Sequence, residues 1–137
     1  MKKGILVTST ILVLLIVLRP FVLDYLDLLN YNREIENLQI QNPEISAFED
    51  GEYEGRHQVH EIEAQVEVRI LSGEIVGIDL HHEHERGYNA EEITRRVVEE
   101  QSLEVDMVTG ATHSSKVILK AIERALCETE EVYCEEP

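Results

Sequence analysis

Ala64-Gln65-Val66-Glu67-Val68-Arg69-Ile70-Leu71-Ser72-Gly73-Glu74-Ile75-Val76-Gly77-Ile78-Asp79-Leu80 is the stretch that decides the fold. Ala64, Val66, Val68 and Ile70 alternate with Gln65, Glu67 and Arg69. A period of two places the apolar set on one face of a half-buried strand. Ser72-Gly73 reads as a two-residue turn, and Glu74 to Leu80 returns with Val76, Ile78 and Leu80 expected inward. A hairpin with one apolar face must bury it under another layer. The rest of the chain must therefore supply that layer.

Toward the N-terminus, Asp50-Gly51-Glu52-Tyr53-Glu54-Gly55 reads as a turn entering a first strand that runs from Tyr53 to about Val59, with the domain beginning near Phe48. Toward the C-terminus, His81-His82-Glu83-His84-Glu85-Arg86-Gly87 packs metal-ligand side chains closely. On a strand, His82 and His84 share the face of Leu80, while His81 and Glu83 point away. No further ligand is fixed nearby by sequence, so no metal site is expected. Asn89 is expected to cap a helix from Ala90 to about Gln101, with Glu92 as its capping-box partner. Ile93, Val97 and Val98 then face inward, and Arg95, Arg96, Glu99 and Glu100 form a solvated face. Leu103 and Val105 make the connector Ser102–Val108 a candidate short edge strand. From Val117 the apolar residues fall at 117, 118, 121, 122, 125 and 126, one face of a second helix over 114–126. Ala121 and Ala125 allow that helix to pack closely. The expected fold class is α+β, a small antiparallel sheet of about three to four strands packed with two helices.

Between the two helices lies Asp106-Met107-Val108-Thr109-Gly110-Ala111-Thr112-His113-Ser114-Ser115. A helix start leaves backbone N–H groups without helical partners and carries partial positive charge, so it suits a phosphate. Gly110 can take positive φ and lets backbone approach a ligand, and Ala111 adds little bulk. Thr109, Thr112, Ser114 and Ser115 supply hydroxyls as donors or caps. The same residues would also serve as an ordinary helix cap.

Charge and hydropathy bound the function. The chain of 137 residues has room for one small domain and a membrane segment. Lys2 and Lys3 precede an apolar run from Gly4 to Leu18, followed by Arg19-Pro20 and Phe21-Val22-Leu23. Residues 4–23 meet the length of a bilayer core, and no small-x-small cleavage site follows. We therefore expect a single N-terminal transmembrane helix over 1–23, with the N-terminus cytoplasmic and the domain extracytoplasmic. Residues 24–47 read as a helical stalk and linker, 48–126 as the domain, and 127–137 as an acidic tail. Setting aside Lys2, Lys3 and Arg19 leaves 9 of the 12 basic side chains against all 28 acids. Such a surface repels nucleic acid and anionic lipid headgroups. Outside the cytoplasm, a Cys127–Cys134 disulfide is the default, a local staple on the tail.

The segment QSLEVDMVTGATHSSKVILKAIERAL, Gln101 to Leu126, resembles the signature of the FMN-binding domain family, which includes flavin-bearing subunits of the sodium-pumping NADH:quinone oxidoreductase and of ferredoxin-linked electron-transport complexes. The pattern is an Asp, two variable residues, then Ser or Thr, Gly, Ala and Thr. The DGEYEG opening and the hairpin are similar too, and His57 to Ile62 departs from the glycine-rich stretch of many members. The resemblance implies FMN as cofactor, joined by a flavin transferase through a phosphoester to Thr112. It implies Asp106 as the recognition acid and Thr109-Gly110-Ala111 as the turn. Ser114 and Ser115 stand at the helix start, and His82 falls near a histidine that borders the flavin in small members. The implied role is an electron carrier working with membrane electron-transport components, not a self-sufficient enzyme, and it leaves the oligomeric state open. A module that holds FMN without a bond, for sensing or storage, shares all of these residues. An assembly protein with a vestigial pocket is a further alternative.

Overall fold

The computed structural model describes residues 2–83 and 89–127, with side-chain surroundings for 12–82 and 89–127. The alternating segment forms β2 (Ile62–Leu71), with Ile62, Ala64, Val66, Val68 and Ile70 all buried. Ser72 at φ 55° and Gly73 at φ 76° make the tight turn into β3 (Glu74–Glu83). Two positive φ values in succession give a turn whose twist matches that of the flanking strands. On the other side of β2, β1 (Gly51–Val59) pairs antiparallel in continuous register from Gly51 opposite Ile70 to Val59 opposite Ile62. Among the described residues the sheet has three strands, in the order β1-β2-β3.

Two helices supply the covering layer. The first, α2, spans Glu92–Glu100, and the second, α3, spans Thr112–Cys127. Helix α3 lies over β1 and β2, and α2 lies against β3. Val117, Ile118, Leu119, Ala121, Ile122, Ala125 and Leu126 are buried along α3, and Ile93 and Val97 along α2. Each large aliphatic side chain so buried contributes about 1.5–3 kcal/mol. The closest approach is at Gly55 of β1. A Cβ there would run into the Ala121 carbonyl and the Ala125 amide nitrogen and lie 2.8 Å from Ala125 Cα. The small residues at 121 and 125 thus let helix backbone rest on strand backbone.

Three expectations are corrected. Val76 is exposed, and Ile75 takes the inward position at 1% exposure. The register shifts there: Arg69 pairs with Gly77 and Ile70 with Ile75, so Val76 is an extra residue on β3. Such a bulge resets the alternation, and Ile78, Leu80 and His82 return to the inner face opposite Val68, Val66 and Ala64. The connector 102–108 is not a strand, although Leu103 and Val105 are buried. Side chains take the place of ladder partners. The Gln101 amide accepts from Ile75 N–H at 2.7 Å and donates to the Ile75 carbonyl at 2.9 Å, and Leu103 N–H donates to Asn42 Oδ1. Finally, α2 starts at Glu92 without a capping box. Asn89 sits at φ 88° in the preceding turn, and its carbonyl, not its side chain, accepts Glu92 N–H. The Glu92 carboxylate is drawn instead to Arg95 and Arg96.

By its contacts the chain divides into Met1–Glu36 and Asn37–Pro137. From Lys2 to Glu36 the first unit is part of α1 (Lys2–Asn37), which is continuous through Pro20. Among the residues whose side-chain surroundings are described, which in α1 begin at Leu12, no helix is long and apolar enough to cross a membrane. In the second unit, residues 39–42 are strapped to the rest. Gln41 N–H donates to Glu123 Oε2 at 2.9 Å, and Lys120 Nζ donates to the Gln39 carbonyl and to Glu123 Oε1. Those donors compensate a carboxylate that is only 6% exposed. Phe48 then packs edge-on against Tyr53, whose hydroxyl donates to the Glu49 carbonyl. Cys127 is held in a disulfide, and Cys134 lies outside the described residues, as does His84.

Candidate functional site

The turn entering α3 is built from both helices. Ala111 N–H donates to the Val108 carbonyl at 2.9 Å, closing a turn in which Gly110 takes φ 81°. That φ is strained for a residue with a Cβ, yet a Cβ there would meet nothing within 4 Å. The conformation favours glycine, and the space beside it is open. The first helical bond runs from Ser115 N–H to the Ala111 carbonyl at 2.8 Å. Thr112 therefore stands ahead of the hydrogen-bond ladder, at the positive end of the helix. The first turn carries no acid, and Lys116 follows it.

The structure separates the sequence-derived candidates by exposure. Asp106, Thr109, Gly110 and Thr112 are exposed, so the turn shows solvent a carboxylate and two hydroxyls. Ala111 is 8% exposed and tucks beneath. Ser114 and Ser115 are buried, at 1% and 0%. Ser115 Oγ accepts Val108 N–H at 3.3 Å, so this hydroxyl braces the turn from inside the domain. The His82 side chain, 3% exposed on the inner face of β3, has its Nδ1 3.7 Å from Glu91 Oε1, just before α2.

Two residues carry more than the sequence reading gave them. Arg96, read there as solvated, has a side chain 26% exposed. Its Nη1 donates to the Asp106 carbonyl at 2.7 Å and also reaches the Met107 carbonyl, while Nη2 pairs with Glu92 at 2.9 Å. Those hydrogen bonds and charges, first from Arg96 and then from Arg95, hold the Glu92 carboxyl below its usual range. The only sequence signal was the four-residue spacing of Glu92 and Arg96, which says nothing of the connector. His57, on the inner face of β1, is 9% exposed, and neither ring nitrogen has a hydrogen-bond partner among the described residues. Among the described residues no group of His, Cys, Asp or Glu is placed to hold a metal ion.

A three-stranded sheet covered on one face by two helices, with an exposed hydroxyl at the start of the second, defines a small α+β domain suited to a phosphate-bearing ligand. Residues 60–127, about half of the chain, match the model of the FMN-binding domain family. The chain carries an FMN-binding domain over those residues, and FMN is its cofactor. The match takes in β2, β3, α2 and α3, with β1 and the DGEYEG opening lying before it. No curated protein matches the chain. A domain of this kind is a flavin-binding module of electron transfer.

Proposed function

We propose that the protein is a membrane-anchored extracytoplasmic flavoprotein carrying FMN as a phosphoester on Thr112, and that it relays electrons between membrane electron-transport components and an acceptor outside the cytoplasm. The observation that carries the attachment is Thr112 itself. It is exposed, stands at the start of a 16-residue helix, and follows a positive-φ glycine beside open space. These residues fit a phosphate group: the helix start offers amide dipoles, and Lys116 offsets the one charge that the phosphodiester keeps once Thr112 is esterified.

A flavin transferase is the implied partner in loading. Thr112 Oγ1 forms a bond to the phosphorus of the FMN half of FAD, the pyrophosphate bond breaks, and AMP leaves with the hydroxyl proton. FMN, once bound, supplies the redox chemistry, and the protein supplies attachment, orientation and electrostatics. Asp106, exposed beside the turn, is positioned for the transferase to read. Support for the anchor comes from α1, where Leu12 to Leu18 and Phe21 to Leu23 are 45–69% exposed. An apolar helix surface of that extent, broken only by Arg19 and Pro20, is what lipid covers, and Lys2-Lys3 before it favours a cytoplasmic N-terminus.

The test is the intact mass of the full chain expressed with and without a flavin transferase. The expected adduct is FMN less one water, retained in Thr112→Ser and lost with in-gel flavin fluorescence in Thr112→Ala. An adduct that survives Thr112→Ala refutes the assignment.

A further inference from the structure

Arg96 joins its own helix to the connector that leads into the turn. An exposed Glu–Arg pair at four-residue spacing stabilises a helix only slightly and would point to solvent. Arg96 does something different with its two ends. Nε and Nη2 are fastened to Glu92 on its own helix, at 3.3 and 2.9 Å. Nη1 leaves the helix and donates to the Asp106 carbonyl at 2.7 Å, with the Met107 carbonyl at 3.4 Å. The connector it grips has no ladder of its own. The next residue, Val108, is held from the opposite helix by Ser115 Oγ and then receives Ala111 N–H. The three residues leading into Thr109-Gly110-Ala111-Thr112 are thus fixed in succession by α2 and α3.

We infer that Arg96, locked by Glu92, is a positioning residue for flavin attachment, holding Asp106 and the turn in the one geometry a flavin transferase accepts. The inference rests on the phosphoester reading of Thr112 and adds to it the device that presents the acceptor. Gripping the Asp106 backbone carbonyl leaves its side chain exposed for recognition. The guanidinium suits the task because its planar fork serves a carboxylate and a carbonyl at once, whereas a lysine ammonium is a single point charge. Without the clamp the turn samples other conformers, and the apparent affinity of the transferase for the chain falls with the competent fraction. Saturating acceptor restores that fraction through binding, so kcat is preserved while KM rises.

The experiment follows FMN transfer from FAD to the full chain in detergent by a purified flavin transferase, with acceptor concentration varied. In Arg96→Gln the KM for the acceptor is expected to rise about tenfold, the loss carried by a hydrogen bond from a charged group, with kcat unchanged. Arg96→Lys is expected to fall between wild type and Arg96→Gln. Glu92→Gln, which loosens the lock but leaves the guanidinium, is expected to raise KM less than Arg96→Gln. Ile93→Val, a core change on the same helix that lowers thermal stability, is expected to leave KM unaltered at an assay temperature where all variants are folded. Should Arg96→Gln not fold, the same split is read on Arg96→Lys and Glu92→Gln. Wild-type kinetics in every clamp variant, or a fall in kcat at constant KM, overturns the inference while the adduct on Thr112 stands. No adduct on the wild-type chain overturns both.

Discussion

Replacing Gly55 by alanine adds one methyl group at the point where α3 rests on β1. The new Cβ would overlap the Ala121 carbonyl and the Ala125 amide nitrogen and stand 2.8 Å from Ala125 Cα. All three are backbone atoms of a helix, so no side chain can rotate away, and the helix itself must retreat by about 1 Å. Such a retreat loosens Val117, Ile118, Leu119, Ile122 and Leu126, every one of them at 2% exposure or less. Overpacking of this kind costs about 1–3 kcal/mol, and the upper end applies because two helix residues are struck together. For a domain near 100 residues, a loss of about 3 kcal/mol lowers the unfolding midpoint by about 12–24 °C. Thermal denaturation followed by far-UV circular dichroism on the full chain in detergent, beside wild type, measures it. A midpoint within about 3 °C of wild type, less than 1 kcal/mol on that scale, would show that α3 does not bear on β1 through Gly55.

Two further outcomes are expected. In Ser115→Ala the buried Val108 N–H loses its acceptor, which costs about 1–3 kcal/mol in urea unfolding, and wild-type stability in that variant would refute the brace. His57 gives the pH dependence. Burial first, then the charges of Arg124 and Lys120, lower its pKa from the ordinary 6.5, with Glu123 opposing them. Its neighbour across the sheet is Ala64, which offers no charge. The unfolded chain therefore binds more protons than the folded one between the lowered value and 6.5. The stability set by this group is whole above pH 6.5 and is lost as pH falls through the folded value. Urea midpoints from pH 8 to pH 5 should decline less in His57→Leu than in wild type; parallel declines would remove His57 as the cause.

The amino-acid sequence determined whatever depends on neighbours along the chain. The alternation of Ala64 to Ile70, the Ser72-Gly73 turn and the apolar face from Val117 to Leu126 follow from strand and helix periods, and all three stand in the structure. The Asp106 to Thr112 pattern was equally legible, because a glycine before a helix start is a local signal, and Gly110 takes the positive φ it suggested. Only the tertiary structure decided which face each β3 residue turns inward. Periodicity holds while register is continuous, and the extra residue at Val76 breaks it by pairing with β2. Tertiary contacts also decided that the sheet would gain no strand from 102–108, since Gln101 and Asn42, 26 and 61 residues from the groups they satisfy, occupy those hydrogen bonds. Gly55 and Arg96 belong to the same class. One is a glycine with no positive φ to announce it and the other an arginine on an outwardly polar helix, and each acquires its role from backbone that folding alone brings within reach.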